Sequence, residues 1–468
     1  MASTSRDLNE GPVWKALLSV SGPMAFGIAA VISVGLVDAY FLGRIGSDAL
    51  AAVGFVYPIT MTIASLSIGM SAGANAAISQ ALGRKDDEDD VIRVGLHALG
   101  IGTVLGALAG LIFFLIDRPL LSLMGATDGV LEAALQYTPV WSASFPALVA
   151  MMLMNSVFRA HGNGGRAAGI MIFSASVNIA LTPTLILGWG PFPELGVAGA
   201  AWSTLIAYVV ACAAAAALAM KSGLLRPCGA LLQDLWQSAK TLAGVGGPAA
   251  LSNAIRPAGM AAVTAAVAVL GSSYVAGFGA AGRVQGLVAV PLLALSAGIG
   301  PVVGQAWGAD RPDRASQALR LSCLFALGYG LVLATALFFL ADPIAGLFSD
   351  DDQAVSAAAL YLRIVGWSLF GFGILVVGNA ALNAMSRAGY AMSLSVARVL
   401  LVYLPLAWLA AYTVGYWGIL GAAVVANVFA SVAVMVAARA AGLRVVDIAP
   451  IRSLASRLPR NRVDAEPA

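Results

Sequence analysis

The sequence has little charge, few cysteines and few histidines, and each shortage excludes a class of protein. Only 10% of the 468 residues are Asp, Glu, Lys or Arg, whereas soluble domains carry about 25%. Three cysteines, Cys212, Cys228 and Cys323, are too few for a disulfide framework or a metal cluster. Two histidines, His97 and His161, are too few for a metal site. We therefore expect neither a soluble protein nor one that holds a metal.

Long apolar runs take the place of the missing charge. Hydrophobic residues make up 60% of the chain and fall into repeated runs of helical length, about 20 residues or more each. The predicted fold is an all-α integral membrane protein with twelve transmembrane helices. The predicted spans lie near 14–43, 50–82, 93–116, 134–160, 167–189, 195–220, 237–270, 274–306, 317–340, 355–386, 391–413 and 417–441.

The distribution of Lys and Arg predicts the orientation of these spans. If the spans alternate, most basic loop residues fall on one side, and the other side receives only Arg44, Arg118 and Arg363. Cytoplasmic loops of membrane proteins carry an excess of Lys and Arg. We therefore expect a multi-pass protein of the inner membrane with both termini in the cytoplasm.

The two halves of the chain repeat each other. "SGPMAF" matches "GGPAAL" with an offset of 225, which carries Pro23 to Pro248, and the same offset carries Gln80 to Gln305 and Gly83 to Gly308. The first six spans are thus repeated as the second six. This predicts two six-helix lobes related by an axis along the membrane normal, as in parallel-repeat transporters. The predicted units are an N-lobe at 1–220, a cytoplasmic linker at 221–240, a C-lobe at 241–442 and a cytoplasmic tail at 443–468. Two such lobes suggest a cleft that opens to alternate sides, although a static membrane scaffold would carry the same repeat.

Asp38 is the clearest carboxylate within a predicted span. Between Lys15 and Arg44 it is the only ionisable side chain of the Asp, Glu, Lys, Arg or His type, and such a residue inside a membrane is a functional candidate by default. Burial favours the neutral acid, whereas a nearby cation favours the carboxylate. A balance between the two would let the group exchange a proton for another cation, which is what an antiporter needs. The alternative is a structural acid paired permanently with Arg256 or Arg283, or one that caps a broken helix.

Other polar residues inside predicted spans are candidates for binding substrate or cation. They are Tyr137, Asn155, Asn178 and Thr182 in the N-lobe and Asn253, Arg256 and Arg283 in the C-lobe. Asn379, Asn383 and Arg398 are further polar positions in the C-lobe. The arginines must pair or face water; they could pair with an acid across the lobes or contact an anion or a lipid phosphate.

One stretch resembles a known family. "VDAYFLGRIGSDALAAVG" at Val37–Gly54 is similar to the first-helix signature of the multidrug and toxic compound extrusion (MATE) family. The resemblance extends over essentially the whole chain, including "SQALGRKD", "GQAWGADR" and "FRAHGNGGRAAGIM". It implies a V-shaped protein with a central cleft that exports amphipathic, often cationic compounds against inward H⁺ or Na⁺. It also implies that Asp38 is the cation-coupling residue.

The chain also departs from the family pattern. Asn178 matches a fifth-helix Asn of the DinF-like branch, in which an Asp often follows four residues later, but here that residue is Thr182. Where the NorM-like branch commonly has a Glu in span seven, this chain has Asn253 and Arg256. The chain is therefore closer to the DinF-like branch but lacks its fifth-helix Asp. A single carboxylate favours H⁺ over Na⁺, and Arg256 favours a less charged or zwitterionic substrate over a strongly cationic one.

The leading hypothesis is a cation-coupled drug exporter that is a secondary active transporter and not an enzyme. The sequence has no cluster with ligand spacing and no P-loop, so we expect no cofactor beyond the coupling ion. The expected partners are small amphipathic substrates and membrane lipids, without nucleic acid, and the expected state is a monomer. The alternative function is a flippase for lipids or lipid-linked sugars, which would need a basic cleft for a phosphate, with Arg256, Arg283 and Arg398 as candidates.

Overall fold

The computed structural model describes residues 7–190, 193–226, 229 and 232–444, and these residues form helices with no strand among them. The predicted tail at 443–468 lies almost wholly outside the described residues, as does part of the predicted linker. α7 ends at Lys221 and α8 begins at Leu235, so α8 starts within the range predicted for the linker.

The described residues contain seven α-helices in the first half of the chain and nine in the second. The first half contains α1 (Val13–Ile45), α2 (Ser47–Arg84), α3 (Glu88–Leu123), α4 (Asp128–Ala143), α5 (Phe145–Ala160), α6 (Gly164–Leu187) and α7 (Gly196–Lys221). The second contains α8 (Leu235–Ala268), α9 (Ser272–Val288), α10 (Val290–Gly308), α11 (Pro312–Ala345), α12 (Asp352–Val365), α13 (Leu369–Ala384), α14 (Ala388–Val396), α15 (Leu404–Thr413) and α16 (Tyr416–Ala440). A 3₁₀ turn at Gly366–Ser368 joins α12 to α13, and a π-helical segment at Ala397–Tyr403 joins α14 to α15.

Ten helical stretches in the described residues are long and apolar enough to cross a membrane, and two of them, Asp352–Ala384 and Ala388–Thr413, each combine two helices with the segment between them. α4 with α5 makes an eleventh span bent by 45°. α8 is long enough at 34 residues but is not among them. Its apolar run is diluted by glycines and by Ser252, Asn253 and Arg256. The twelve predicted spans therefore correspond to helices or broken helices, and α8 is the least apolar of the set.

The breaks in the helices have local causes. Ser144 separates α4 from α5, and Pro146 is at the start of α5. Ala289 separates α9 from α10, and Pro291 is the second residue of α10. Proline lacks a backbone N–H and collides with the preceding turn, so a helix bends or restarts where it occurs.

The two lobes meet at the basic end of the protein, which we define as the end that carries Arg84, Arg93 and Arg311. α2 packs along α8, and α10 packs against both α1 and α2. The first turns of α1, from Val13 to Val20, lie in one core with α10, α11 and α13. Toward the opposite end, apolar side chains of α1 and α2 such as Leu36 and Tyr57 are more than half exposed. The result is the V-shaped fold of two six-span lobes.

Two glutamines related by the repeat fasten the basic end. Gln80 Nε2 donates to the carbonyl oxygen of Ala384 over 2.6 Å, and Gln305 Nε2 donates to that of Ala160 over 2.7 Å. Each glutamine thus binds the opposite lobe. We call these two residues the glutamine latch.

Glycines allow the backbones at the latch to approach closely. A Cβ at Gly83 would collide with the backbone carbonyl of Gln305, and a Cβ at Gly308 would collide with that of Gln80. Because the collisions are with backbone atoms, side-chain movement would not relieve them. The sequence repeat therefore places the same Gln and Gly pair on both sides of the contact.

Candidate functional site

Asp38 lies on α1, two turns before the end of the helix, and contacts α6. Its Oδ1 accepts a hydrogen bond of 2.8 Å from the hydroxyl of Thr182. The side chain of Asp38 is partly buried, whereas Thr182 is fully buried. Asp38 and Thr182 were both predicted as site residues from the sequence, and the fold brings them into direct contact although they are 144 positions apart.

The hydroxyl of Thr182 is the centre of a buried polar group. It lies 3.2 Å from Asn178 Oδ1 and 3.1 Å from Ser203 Oγ. Asn178 Nδ2 in turn donates to Thr204 Oγ1 over 3.2 Å. Because a hydroxyl carries one proton, Thr182 can donate to Asp38 or to Asn178, but not to both at once.

Two tyrosines complete the surroundings of Asp38. Tyr137 on α4 and Tyr208 on α7 are close enough to interact electrostatically with its carboxylate. Tyr137 is nine-tenths buried, and its ring lies 5.9 Å from that of Trp141 between centroids, tilted by 30°. Four helices of the N-lobe therefore contribute polar groups to one site, which we call the Asp38 group: Asp38, Tyr137, Asn178, Thr182, Ser203, Thr204 and Tyr208.

Asp38 has no cationic partner in the described part of the chain. None of the ion pairs found there includes Asp38, and its hydrogen bond comes from a neutral hydroxyl. The alternative of a permanent pair with Arg256 or Arg283 is not observed. Chemically, the site can hold the carboxylate with a cation or the neutral acid.

Two further candidates of the sequence analysis lie apart from the Asp38 group. Asn155 is buried on α5 near the basic end, one turn before Arg159, and neither atom of its amide has a hydrogen-bond partner among the described residues. Asn253 donates to the carbonyl of Ala249 within α8. Neither residue makes a described hydrogen bond to Asp38.

Arg256 and Arg398 face a cavity of about 210 Å³ in the C-lobe. The guanidinium of Arg256 lies over the ring of Phe372, 4.7 Å from its centroid. Arg283 is exposed on α9 and does not line this cavity. The arginines therefore do not act as one cluster of three.

Some residues of both sites were not singled out from the sequence. Ser203, Thr204 and Tyr208 are on α7, and the only signal for them was the polar pair "ST" inside an apolar span. In the C-lobe, Asn427 orients Arg398 through two hydrogen bonds to its Oδ1. Asn427 is a single Asn in the 25-residue helix α16, and its contact with Arg398 could not be predicted from the sequence.

Comparison with protein families identifies the fold and the repeat. A family model described as MatE matches residues 23–184 and 248–409. Both the starts and the ends of the two matches differ by 225 residues, which is the offset of the internal repeat. The family match therefore recognises each half separately.

Two curated relatives cover most of the chain. The FAD transporter of Shewanella oneidensis is 33% identical over 428 residues, which are 91% of this chain and 94% of that protein. The probable multidrug resistance protein NorM of Pseudomonas aeruginosa is 25% identical over 422 residues, 87% of this chain and 84% of that protein.

A solved structure shows the same architecture. The Vibrio cholerae MATE transporter VcmN in the bent form superposes with a TM-score of 0.86 at 31% sequence identity. The superposition covers 91% of this chain and 96% of that one.

Proposed function

Since this chain belongs to the MatE family of transporters, we propose that it is a secondary active exporter in which Asp38 carries the coupling proton. Relatives named as a probable multidrug resistance protein and as a multidrug export protein support drug export as the general activity. The proposed location is the inner membrane with both termini in the cytoplasm, and the proposed state is a monomer. Membership of the DinF-like branch stays a prediction.

The hydrogen bond between Thr182 and Asp38 is the observation that carries this proposal. An ionised Asp38 accepts a hydrogen bond from the hydroxyl of Thr182 across the 2.8 Å contact. A protonated Asp38 can instead donate to Thr182, whose own proton then turns to Asn178 Oδ1, 3.2 Å away. Protonation thus reverses the bond between α1 and α6 and removes a negative charge from α1.

The composition of the Asp38 group favours H⁺ over Na⁺. It contains one carboxylate, and the described residues hold no group of three or more His, Cys, Asp or Glu that could bind a metal ion. A proton needs only the carboxylate, whereas hard metal cations are held by several oxygen ligands. One pH unit supplies about 1.4 kcal/mol per proton, enough to move a neutral substrate uphill about tenfold.

The interface between the lobes at the basic end contains buried polar atoms that favour its opening. Ser21 Oγ, Asn75 Nδ2 and Ser79 Oγ are buried there without a hydrogen-bond partner among the described residues. They lie against Gly298, Gly300 and Gly304 of the other lobe. A buried polar atom without a partner costs about 1–3 kcal/mol. When the lobes separate, these polar atoms would form hydrogen bonds with water, which offsets part of the free energy needed to break the interface. A lower cost of opening supports alternating access.

The experiment is transport in proteoliposomes with the pH gradient and the Na⁺ gradient imposed separately. Asp38→Asn is expected to abolish transport driven by the pH gradient, because the amide cannot bind and release a proton. Ethidium is the fluorescent substrate for the drug-export arm. Asp48→Asn is the matched control, since Asp48 is an exposed acid at the start of α2.

The outcomes separate the possibilities. Full transport by Asp38→Asn would refute the coupling role of Asp38. Transport by the unaltered protein under a Na⁺ gradient alone would refute H⁺ coupling but keep the exporter. Binding of substrate without net transport under either gradient would point to the scaffold or to another driving force.

A second candidate function is export of a flavin dinucleotide or a related phosphorylated compound. The relative named FAD transporter favours it, as do the two cavity arginines, which have no acidic partner among the described residues. The flippase for lipids or lipid-linked sugars is the remaining alternative, since it also needs a phosphate contact. Counterflow of FAD, ethidium and a fluorescent phospholipid in the same proteoliposomes discriminates among the three.

A further inference from the structure

The C-lobe contains a cavity whose polar lining consists mainly of hydrogen-bond donors. It lies between α8, α9, α10, α13 and the π-helical segment, and its lining includes Arg256, Gln285, Phe372, Arg398 and Tyr403. No Asp or Glu is among the lining residues. The cavity is therefore positively charged and lies in the lobe that does not contain Asp38.

Arg256 makes a cation–π contact that leaves its donors free. Its guanidinium carbon lies 4.7 Å from the centroid of the Phe372 ring. It makes no hydrogen bond or ion pair with a described residue. Arginine has five N–H donors in a fixed plane, so these donors remain for a ligand.

Arg398 is held by a chain of hydrogen bonds that also leaves donors free. Its Nε and Nη2 donate to Asn427 Oδ1 at 3.1 and 2.7 Å. Asn427 Nδ2 donates to Ser368 Oγ at 2.8 Å. Nη1 of Arg398 has no partner among the described residues. Arg398 is on the π-helical segment, and π-bulges are frequent at functional sites.

Gln285 adds a neutral donor. Its Oε1 accepts a hydrogen bond of 2.5 Å from the hydroxyl of Tyr361, which assigns the Nε2 end of the amide to donation. Tyr361 thus acts as a positioning residue. Two guanidinium groups and an amide then surround the cavity as donors.

The two arginines need a counter-charge. They are close enough to repel each other electrostatically, and buried charges in proteins are normally paired. Arginine binds phosphate through parallel N–H···O bonds. Because pockets for whole drug-sized ligands measure about 300–1,000 Å³, a cavity of about 210 Å³ suits a charged group more than a complete substrate.

We propose that this cavity binds the phosphate or diphosphate group of the transported substrate, while the rest of the substrate lies in the cleft between the lobes. The proposal rests on the exporter function above for its substrate but not on the coupling role of Asp38. A phosphate ester could also come from a lipid headgroup, so the test includes both sources.

The test measures binding to the purified full-length protein in phosphatidylcholine nanodiscs. FAD and riboflavin are the probes: they share the flavin ring and the ribityl chain, and FAD adds a diphosphate and an adenosine. FMN, which adds only a phosphate to riboflavin, is measured beside them, so that a preference caused by the adenosine is recognised by its absence for FMN. FAD is expected to bind at least about tenfold more tightly, because hydrogen bonds to charged groups are the stronger ones. Arg256→Gln is expected to remove that preference and leave riboflavin binding unchanged, and Arg256→Lys to keep part of it.

Controls separate this proposal from folding defects and from the coupling mechanism. Arg320→Gln removes an exposed arginine of α11 and is expected to leave both affinities unchanged. Each variant is checked by size-exclusion chromatography and circular dichroism. Asp38→Asn is expected to lose transport but keep the preference for FAD. If Asp38→Asn loses transport but still prefers FAD, the defect lies in coupling and not in binding of the phosphate group.

Three results would overturn the proposal. The first is equal affinity for FAD and riboflavin. The second is a preference for FAD that persists in folded Arg256→Gln and in folded Arg398→Gln. The third is that FAD does not bind, while phosphatidylglycerol added to the nanodiscs stabilises the unaltered protein and not Arg256→Gln. That last result would assign the cavity to a lipid headgroup.

Discussion

The glutamine latch is predicted to set the balance between closure and opening of the basic end. Gln80 Nε2 donates to Ala384 O and to Ser386 Oγ, and Gln305 donates to Ala160 O and accepts from the backbone N–H of Leu8. Each of these four hydrogen bonds contributes about 0.5–1.5 kcal/mol net. Replacing one glutamine with alanine therefore removes about 1–3 kcal/mol, which shifts the equilibrium between conformations about 5- to 150-fold. The double variant loses the sum, because the two glutamines bind separate partners.

The assay measures the distance between the lobes at the end opposite the latch. Spin labels at Leu123→Cys and Leu347→Cys, in a background without the native cysteines, report on two highly exposed residues, one in each lobe. The unaltered protein is expected to show one long distance and Gln80→Ala/Gln305→Ala a growing population at shorter distance. Gln237→Ala, an exposed glutamine in the first turn of α8, is the control. An unchanged distance distribution in the double variant would refute the latch.

Two other predictions concern the closed interface and the Asp38 group. Gly83→Ala and Gly308→Ala are expected to hold the basic end apart and to slow transport, because each added Cβ collides with the backbone of the other lobe. Gly100→Ala is the control and is expected to leave the transport rate unchanged, since a Cβ there meets open space. Equal transport rates in all three variants would contradict this prediction. Thr182→Val removes a hydrogen bond of about 1.5–3 kcal/mol to ionised Asp38 and one of about 0.5–1.5 kcal/mol to the neutral acid. Because the loss is larger for the ionised state, the pH dependence of transport is expected to move by about one unit toward higher pH. Thr182→Ser is expected to restore the profile, and a profile unchanged by valine would exclude a direct role of Thr182.

Much of the fold was predictable because a membrane constrains a helical chain strongly along its length. The apolar runs predicted the spans, and the offset of 225 predicted the two lobes. The family match at 23–184 and 248–409 shows the same offset. Asp38 was recognisable since an acid inside an apolar run is expensive. These features depend on composition and spacing alone.

The partners of the site residues were not predictable in the same way. Which face of α7 meets α6 depends on packing between helices, so Ser203 and Thr204 did not stand out from the sequence. The bend between α4 and α5 at Ser144 and the π-helical segment that carries Arg398 are likewise local departures from regular helix. Hydropathy averages over such departures, although they direct the side chains of both sites.

The two lobes share the arrangement of the internal repeat, but the Asp38 group and the C-lobe cavity carry opposite charges. The offset that takes Pro23 to Pro248 takes Asp38 to Val263, which is fully buried in the apolar core of the C-lobe. In the reverse direction, Arg256 corresponds to Val31, an exposed apolar residue of α1. Each lobe therefore has its charged residue where the other has a valine. A carboxylate that binds a proton and an arginine that binds an anion can thus occupy one symmetric scaffold without neutralising each other. The sharpest consequence is that the exchange Asp38→Val is expected to abolish coupling alone, and Arg256→Val to abolish the preference for phosphate alone.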